Sequence, residues 1–345
     1  MYKSIMVIGG SGTVGKIIVS RLAQDFGSQL IIAGRSEERA IEVATQLQSD
    51  VRWRILDISK PLDYSNVLED VGLVVMCLDV PEIEFVKQCF LRGIHYVDIS
   101  AEFRILSAIS DLEDIAKQGN ATAILSVGLV PGLSNLMAQH SLKFINPVKQ
   151  FDTAVLLGLG EKHGVAATTW VMSHLNDAQG INNFDFHEPF NKKPVYRFAI
   201  SDQYTLTQTL PIAKAATWLG FDSALMTHIL IGLPRLPLIR QIIRSQFMQN
   251  FLLTLSRMWQ FGSKDFVLTA LAEGQDAIYQ MWISGTKESE VTGLVAAEIV
   301  TQLIENNKSR PGIFHIEELF EFKDFLPMLQ RHNVTFSDKL FNKVQ

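Results

Sequence analysis

The chemistry-bearing residues nearest the start of the chain are glycines that follow a short apolar run. Ile5 to Ile8 leads into Gly10-Ser11-Gly12-Thr13-Val14-Gly15, and apolar residues at helical spacing follow from Lys16 to Leu22. This order predicts a strand, a tight turn and a helix. Such glycines let the backbone approach a pyrophosphate, and a helix N-terminus favours an anion. Three glycines also suit a bare turn, so the neighbouring elements must decide between the two.

The next apolar run, Gln29 to Ala33, ends in residues that would set nucleotide preference. Gly34, Arg35 and Ser36 follow it directly. An acidic residue at this point binds the ribose 2′-hydroxyl of NAD, whereas an Arg accommodates the 2′-phosphate of NADP. We therefore expect Arg35 and Ser36 to bind NADP(H), with NAD the less favoured cofactor. The alternative for Arg35 is a solvated loop residue before a helix.

Four more apolar runs, at 53–56, 72–78, 95–98 and 122–127, alternate with helix-like segments. Six strands in this arrangement predict an α/β fold with a doubly wound parallel (Rossmann) sheet, whose ligands bind beyond the carboxyl ends of the strands. The residues predicted to bind the cofactor are those that follow strand ends: Gly10, Ser11, Gly12, Thr13, Val14, Arg35, Ser36, Asp57, Ile58, Cys77 and Leu78. Asp57 could instead cap the next helix, and Cys77 could be a packed core residue.

Asp98 closes the fifth predicted strand. A carboxylate at the end of a buried strand needs a partner, because burying an unpaired charge is costly. It is either a structural hydrogen-bond acceptor or a catalytic group that faces the substrate. Both alternatives stay open from the sequence.

Composition bounds the function classes. At 345 residues the chain is long for a single core, which predicts two domains. A formal net charge of −5 gives no basic footprint for nucleic acid. The most apolar region, 221–238, is interrupted by charged residues and prolines, so we expect no transmembrane segment. Two cysteines predict neither a disulfide framework nor a metal site and suit the cytoplasm.

Beyond residue 150 a second pattern begins. A predicted strand at 151–157 ends in the glycine-rich loop 158–164, which contains Lys162 and His163. His163 is placed to contact a substrate carboxylate or to move a proton, since histidine titrates near neutral pH, and Lys162 would add charge. A loop histidine that only caps is the alternative. Arg197, on a predicted strand at 196–200, is either a carboxylate clamp or an ordinary surface residue.

The remainder of the chain carries elements without obvious chemistry. Two very apolar segments, 217–233 and 238–259, are predicted to be helical and to form a dimer surface or a lid. A hairpin is predicted from 264–273 and 277–285, and a long helix over 288–306. Residues 313–345 show helical patches and no motif.

Four stretches together resemble one family. They are GGSGTVG at 9–15, GLVPGLSNLMA at 128–138, GLGEKHGVAATTWVMSHL at 158–175, and VTGLVAAEIVTQL at 291–303 followed by RPGIFHIEELF. The chain resembles the saccharopine dehydrogenase (saccharopine reductase) family. The resemblance implies that Pro131 and Gly132 lie in a turn that joins the nucleotide domain to the substrate domain and binds substrate. It also implies that the helix near 288 returns to the nucleotide domain.

The resemblance implies a domain organisation and a function. The Rossmann domain would span 1–130 and about 288–320, an α+β substrate and dimerisation domain 131–287, and 321–345 would be an unassigned tail. The protein would be an NADP(H)-dependent oxidoreductase acting on the C–N bond of an imine or secondary amine, in an amino-acid or polyamine conjugate. His163 or Asp98 would handle the proton, and the protein would be a homodimer.

Two other functions are possible for a fold of this class. Val130 stands where family members often carry Asp before the turn proline, and no catalytic constellation is unmistakable, which favours a non-catalytic NADP(H)-binding sensor or interaction protein as the alternative. A short-chain dehydrogenase is excluded, because no tyrosine in the chain has a lysine four residues later.

Overall fold

The structure is a computed structural model that describes residues 3–47, 49–60, 63–79, 83–161, 165–175, 178–232, 262–305 and 308–343. The chain divides into two compact units, each made of two separate stretches. The first unit is Met1–Leu133 with Ser289–Glu321, and the second is Ser134–Glu288 with Phe322–Gln345. The long helix predicted over 288–306 therefore lies almost wholly in the first unit.

Within the described residues the strands are β1 (Ser4–Ile8), β2 (Leu30–Gly34), β3 (Arg52–Ile55), β4 (Val71–Met76), β5 (His95–Asp98), β6 (Thr122–Leu125), β7 (Gln150–Leu157), β8 (Gln179–Asp185), β9 (Lys192–Arg197), β10 (Ala215–Phe221), β11 (Asp265–Glu273), β12 (Ala277–Thr286), β13 (Gly312–His315) and β14 (Thr335–Asn342).

The α-helices of the same residues are α1 (Thr13–Phe26), α2 (Glu37–Gln46), α3 (Tyr64–Val67), α4 (Glu84–Leu91), α5 (Phe103–Ser110), α6 (Glu113–Gln118), α7 (Ser134–Ser141), α8 (Val165–His174), α9 (Asp202–Thr209), α10 (Ala224–Thr227), α11 (Glu288–Glu305), α12 (Ile316–Leu319) and α13 (Phe322–Arg331).

A seven-stranded parallel sheet forms the centre of the first unit. Its order is β13-β6-β5-β4-β1-β2-β3, with the reversal of strand order at β1 that defines a doubly wound fold. The predicted fold class is confirmed. All six predicted strands are present. The apolar runs of β1, β2, β4, β5 and β6 are buried, as expected where helices cover both faces of a sheet, whereas edge strand β3 exposes Trp53 and Ile55. The seventh strand, β13, was not predicted, since it forms by pairing with β6, which lies far earlier in the chain.

Helix α11 packs on α1 at a close approach. A Cβ on Gly293 would lie 2.7 Å from Cγ2 and 2.8 Å from Cβ of Ile17. Glycine is therefore the residue that lets these two helices approach. Both contacting residues belong to the first unit.

The second unit is built on a mixed seven-stranded sheet in the order β14-β12-β11-β7-β10-β9-β8. Strands β7 and β10 are parallel, and the other neighbours are antiparallel. The predicted strand at 151–157 and the hairpin that became β11 and β12 are confirmed. Ten residues of 313–345 form helix α13 in this unit, and another eight form edge strand β14.

The helix predicted over 217–233 is wrong in its first part. Residues up to Phe221 belong to strand β10, and only Ala224 to Gly232 is helical. Because β10 lies between β7 and β9 and is buried on both faces, its apolar residues run without alternation, and periodicity cannot distinguish such a run from a buried helix. The segment 238–259, predicted to be helical, lies outside the described residues.

In the part of the chain that the structure describes, no helix combines the length and the apolar character needed to cross a bilayer. A search of the same residues finds no group of three or more His, Cys, Asp or Glu side chains suited to a metal ion.

Candidate functional site

The glycine loop connects β1 to α1 in the first unit. Gly9 adopts a left-handed φ of 78°, and its carbonyl accepts a 2.8 Å hydrogen bond from the backbone N–H of Gly12. Helix α1 then begins at Thr13 with Gly12 as its N-cap. The predicted order of strand, glycine turn and helix is confirmed, and it puts the helix N-terminus directly past the carboxyl end of β1.

The loop has no room for larger residues. A Cβ on Gly10 would lie 2.9 Å from the carbonyl oxygen of Val7, and one on Gly15 only 2.2 Å from that of Gly9. Contacts this short to backbone atoms cannot be relieved by moving a side chain. Gly15 therefore holds α1 against the loop, the role of the third glycine in a dinucleotide fingerprint.

The N-terminus of α1 is open to an anion. Gly12 supplies no side-chain cap, and within the described residues the first backbone bond into the helix is Lys16 N–H to the Gly12 carbonyl, at 2.9 Å. The amides of Thr13 and Val14 thus point out of the helix end with the positive end of its dipole. Ser11 lies next to them and within 4.0 Å of where a Gly34 Cβ would be. The loop fits a pyrophosphate.

Arg35 and Ser36 follow β2 as predicted. Arg35 is exposed, and its positive charge contributes to lowering the pKa of Asp57. Ser36 is the N-cap of α2, and its hydroxyl oxygen accepts a 3.4 Å hydrogen bond from the Arg39 N–H. An accepting hydroxyl keeps its own proton to donate. This pair can therefore offer a guanidinium and a hydroxyl to a phosphate.

Asp57 and Ile58 lie past β3. The Asp57 carboxylate accepts a 2.6 Å hydrogen bond from the Ser59 hydroxyl, and this bond, with the Ser59 N–H, lowers the pKa of Asp57. It closes a turn and does not cap a helix, since the N-cap of α3 is Asp63. Ile58 packs against the core of the sheet. Both remain predictions as cofactor contacts.

Cys77 and Leu78 lie past β4 and beside the glycine loop. A Cβ on Gly9 would be 3.1 Å from Cγ of Leu78 and 3.3 Å from Cβ of Cys77. Burial, and then the neighbouring Asp98 carboxylate, raise the pKa of the Cys77 thiol well above its usual value. The thiol is thus a packed, protonated group, while Leu78 is 38% exposed at the mouth of the loop.

Asp98 is fully buried at the end of β5. Its Oδ2 accepts a 2.8 Å hydrogen bond from the Tyr96 hydroxyl, and its Oδ1 accepts a 2.7 Å bond from the Ser100 N–H. Both oxygens are therefore satisfied from inside the unit. Of the two alternatives for this residue, the geometry supports the structural acceptor, because a side chain without solvent access does not meet a substrate.

A buried Ser–His pair at the same edge of the sheet was missed by sequence reasoning. Ser126 Oγ lies 2.8 Å from His315 Nδ1, and the His315 side chain also accepts a bond from the Glu318 N–H. Burial lowers the pKa of His315 to about 4. The neutral imidazole therefore acts as the N-cap of α12. Ser126 and His315 are 189 residues apart in the sequence, so no local pattern could have predicted their contact.

The turn at Pro131 and Gly132 is buried and non-helical. The peptide bond before Pro131 is cis, and Gly132 has a φ of 136°, which favours glycine. The Leu133 N–H closes the turn with a 2.8 Å bond to the Gly128 carbonyl. The predicted turn is present, and its contact with substrate stays a prediction.

The predicted residues of the second unit divide into described and undescribed ones. Lys162 and His163 lie outside the described residues. Arg197 ends β9, is exposed, and donates from Nε to Oε1 of Gln203 at 3.2 Å. That bond fits an ordinary surface residue as well as a clamp, so its substrate role also stays a prediction.

The chain is similar to several known proteins. Residues 5–124 match the family model described as "Saccharopine dehydrogenase NADP binding domain". Carboxynorspermidine synthase of Vibrio cholerae is 22% identical over 388 residues, which cover 92% of each chain. The apo structure of saccharopine dehydrogenase (L-Glu forming) from Saccharomyces cerevisiae aligns with a TM-score of 0.67 at 14% identity, over 98% of this chain and 100% of that one.

The structural likeness shows the shared fold, and the family match covers the glycine loop, Arg35 and Asp98. Residues 5–124 of this chain are therefore a saccharopine dehydrogenase NADP-binding domain, the cofactor-binding part of an NADP-dependent oxidoreductase.

Proposed function

We propose that the protein catalyses NADP(H)-dependent oxidation or reduction at a C–N bond, the imine or secondary amine of an amino-acid or polyamine conjugate. The observation that carries the choice of NADP(H) is the position of Arg35 and Ser36. They directly follow β2, the strand that pairs with β1 and so lies next to the glycine loop. Hydride transfer is the chemistry that NADP(H) supplies when bound.

Support for an amine substrate comes from charge at the ends of β4 and β5. Asp79, which is exposed, accepts a 2.8 Å hydrogen bond from the Ser100 hydroxyl, and Glu102 accepts a 3.3 Å bond from the Arg104 N–H at the start of α5. Carboxylates at this edge suit a cationic nitrogen. The name of the Vibrio cholerae relative, carboxynorspermidine synthase, points to the same class of compound.

The proton group we propose is His163. Histidine titrates near neutral pH and can exchange a proton with a nitrogen as its charge changes. Asp98 is the weaker candidate because it is sealed in the first unit. Lys162, Arg197, Pro131 and Gly132 are proposed to contact the substrate, with Lys162 and Arg197 supplying positive charge for a carboxylate.

The test is in two stages. NADPH binding is measured by fluorescence titration, and turnover is then followed by nicotinamide absorbance with a panel of amines and oxo acids. Binding with turnover that His163→Gln abolishes supports the proposal, and His332→Gln, at an exposed histidine of the second unit, is the matched control. Failure to bind NADPH contradicts it.

The burial of Asp98 favours one second candidate, a non-catalytic NADP(H)-binding sensor or interaction protein. A sensor needs the cofactor loop but no proton donor near it. NADPH binding without turnover on any amine or oxo acid of the panel would support the sensor. Turnover with any of them would exclude it.

We further propose a homodimer that works in the cytoplasm. The two cysteines, Cys77 and Cys89, are both free thiols, as a reducing compartment maintains them.

A further inference from the structure

Strand β14 forms one edge of the mixed sheet. Among the described strands it pairs only with β12, in unbroken antiparallel register from Thr335 to Asn342. All eight of its residues are exposed, although it is as long as central strand β7. Edge strands are normally short, bulged, covered or strongly charged, because a free row of N–H and C=O groups pairs with other chains.

The side chains of β14 are apolar for such an edge. Phe336, Leu340 and Phe341 are 42%, 51% and 36% exposed, and the strand carries just one acidic and one basic residue, Asp338 and Lys339. The exposed Phe144 ring extends this apolar surface, since it stacks at 4.3 Å on Tyr279, the residue opposite Leu340 on β12. The edge thus offers both hydrogen-bonding groups and apolar side chains.

We propose that β14 pairs with β14 of a second copy of this chain, so that the two mixed sheets become one continuous antiparallel sheet across a two-fold axis. This inference rests on the proposed homodimer and names its surface. In an antiparallel pair, residues that lie opposite each other have their side chains on the same face of the sheet. The two-fold axis must therefore place one residue of the strand opposite its own copy, and not opposite the next residue along the strand.

The sequence of the strand selects that residue. With the axis at Asp338, Phe336 of each copy lies opposite Leu340 of the other on one face, and Thr335 lies opposite Phe341 on the other face. Residues 335–341 of each copy are then paired. With the axis at Lys339, Leu340 would face Asp338 and Phe336 would face Asn342, which leaves the apolar residues against polar ones. Apolar cross-strand pairs favour the first register.

The chosen register carries one unfavourable contact. Asp338 of each copy meets its twin at the axis, and each carboxylate also accepts a 2.6 Å hydrogen bond from its own Tyr279 hydroxyl. Like charges opposite each other weaken a strand pair. Asp338→Asn keeps an acceptor for Tyr279 and removes the repulsion, so it should tighten the dimer severalfold.

Association is measured by sedimentation equilibrium on the full chain. We expect a dimer whose dissociation constant rises on the order of tenfold or more in Phe336→Lys and in Leu340→Lys, since both would put charge into an apolar strand pair. The matched control is Ile181→Lys, on β8 at the opposite edge of the same sheet, where the side chain is 53% exposed. A dimer that Leu340→Lys leaves intact, or that Ile181→Lys weakens equally, overturns the surface.

Cross-linking tests the register. Asp338→Cys should form an interchain disulfide under mild oxidant, whereas wild type and Ile181→Cys should not, because Cys89 is fully buried and Cys77 is partly so. Absence of the Asp338→Cys cross-link overturns the two-fold pairing. NADPH titration of Leu340→Lys separates the cofactor proposal from the dimer proposal. If the variant binds NADPH but no longer associates, the cofactor function is unaffected. A wild-type protein that is monomeric overturns only the dimer.

Discussion

The hydroxyl of Tyr96 donates a 2.8 Å hydrogen bond to Oδ2 of Asp98, two residues further along β5 and on the same face of the strand. Both residues have no solvent exposure. Burial raises the pKa of Asp98 to about 7, the Ser100 N–H and the Tyr96 hydroxyl oppose that rise, and the nearby Asp79 adds to it. The carboxyl group therefore changes its charge near neutral pH inside the nucleotide-binding unit.

The Tyr96–Asp98 pair predicts a pH dependence of stability. The folded protein holds the Asp98 proton up to about pH 7, whereas the unfolded chain releases it near its ordinary pKa of 3.8. The contribution of Asp98 is therefore fully present below pH 3.8 and is lost as pH rises to 7. Asp98→Asn should remove this loss, so that the variant gains relative to wild type between pH 5 and pH 8 by a few kcal/mol at most.

Urea unfolding at pH 5 and pH 8 measures the effect. Asp50→Asn serves as the control, because Asp50 is exposed and is not among the groups that shift the pKa of Asp98, so it should leave the pH slope close to that of wild type. The same slope in Asp98→Asn and wild type would contradict a buried, proton-holding carboxyl group.

His315 should have the opposite dependence. Burial lowers its pKa to about 4, so the folded protein keeps the imidazole neutral while the unfolded chain takes up a proton below its ordinary pKa of 6.5. The stability contribution is complete above pH 6.5 and is lost as pH falls to 4. His315→Asn retains a capping side chain without the titration, and should therefore lose less stability than wild type between pH 7 and pH 5.

Denaturant midpoints at the two pH values give this comparison. His187→Asn, on an exposed loop of the second unit, is the matched control. Equal acid sensitivity of His315→Asn and wild type would mean that burial does not hold the imidazole neutral.

Local sequence patterns predicted the elements that depend only on residues close together in the chain. The glycine loop, the runs that form β1 to β6 and the position of Arg35 follow from residues within a few positions of one another. Strand β10 was predicted as a helix, since burial on both faces removes the alternation that marks a strand. The Ser126–His315 contact and the seventh strand were missed because each depends on a partner far earlier in the chain, Ser126 for His315 and β6 for β13.

Gly15 tests the cofactor cradle. Alanine at this position would put Cβ 2.2 Å from the Gly9 carbonyl oxygen, so the loop and α1 must separate. We expect Gly15→Ala to lose NADPH affinity by tenfold or more, roughly 1.4 kcal/mol, through displaced loop amides. Gly34→Ala is the control for folding, as its nearest neighbour would be 4.0 Å away. Far-UV circular dichroism and fluorescence titration distinguish a moved loop from an unfolded unit, and unchanged affinity would contradict the cradle.

Arg35 tests cofactor preference without touching the core. Its side chain is exposed at the end of β2, so replacement by Ala should leave the fold intact. Loss of a charge-assisted hydrogen bond to the 2′-phosphate should weaken NADP binding by about 1–3 kcal/mol and leave NAD binding nearly unchanged. Arg21→Ala removes the same charge from α1, where Arg21 pairs with Asp25, and should affect neither cofactor. Titration of each variant with both cofactors measures the difference directly. Because NAD lacks the 2′-phosphate, an equal loss of affinity for both nucleotides in Arg35→Ala would show that the residue acts on loop structure and not on specificity.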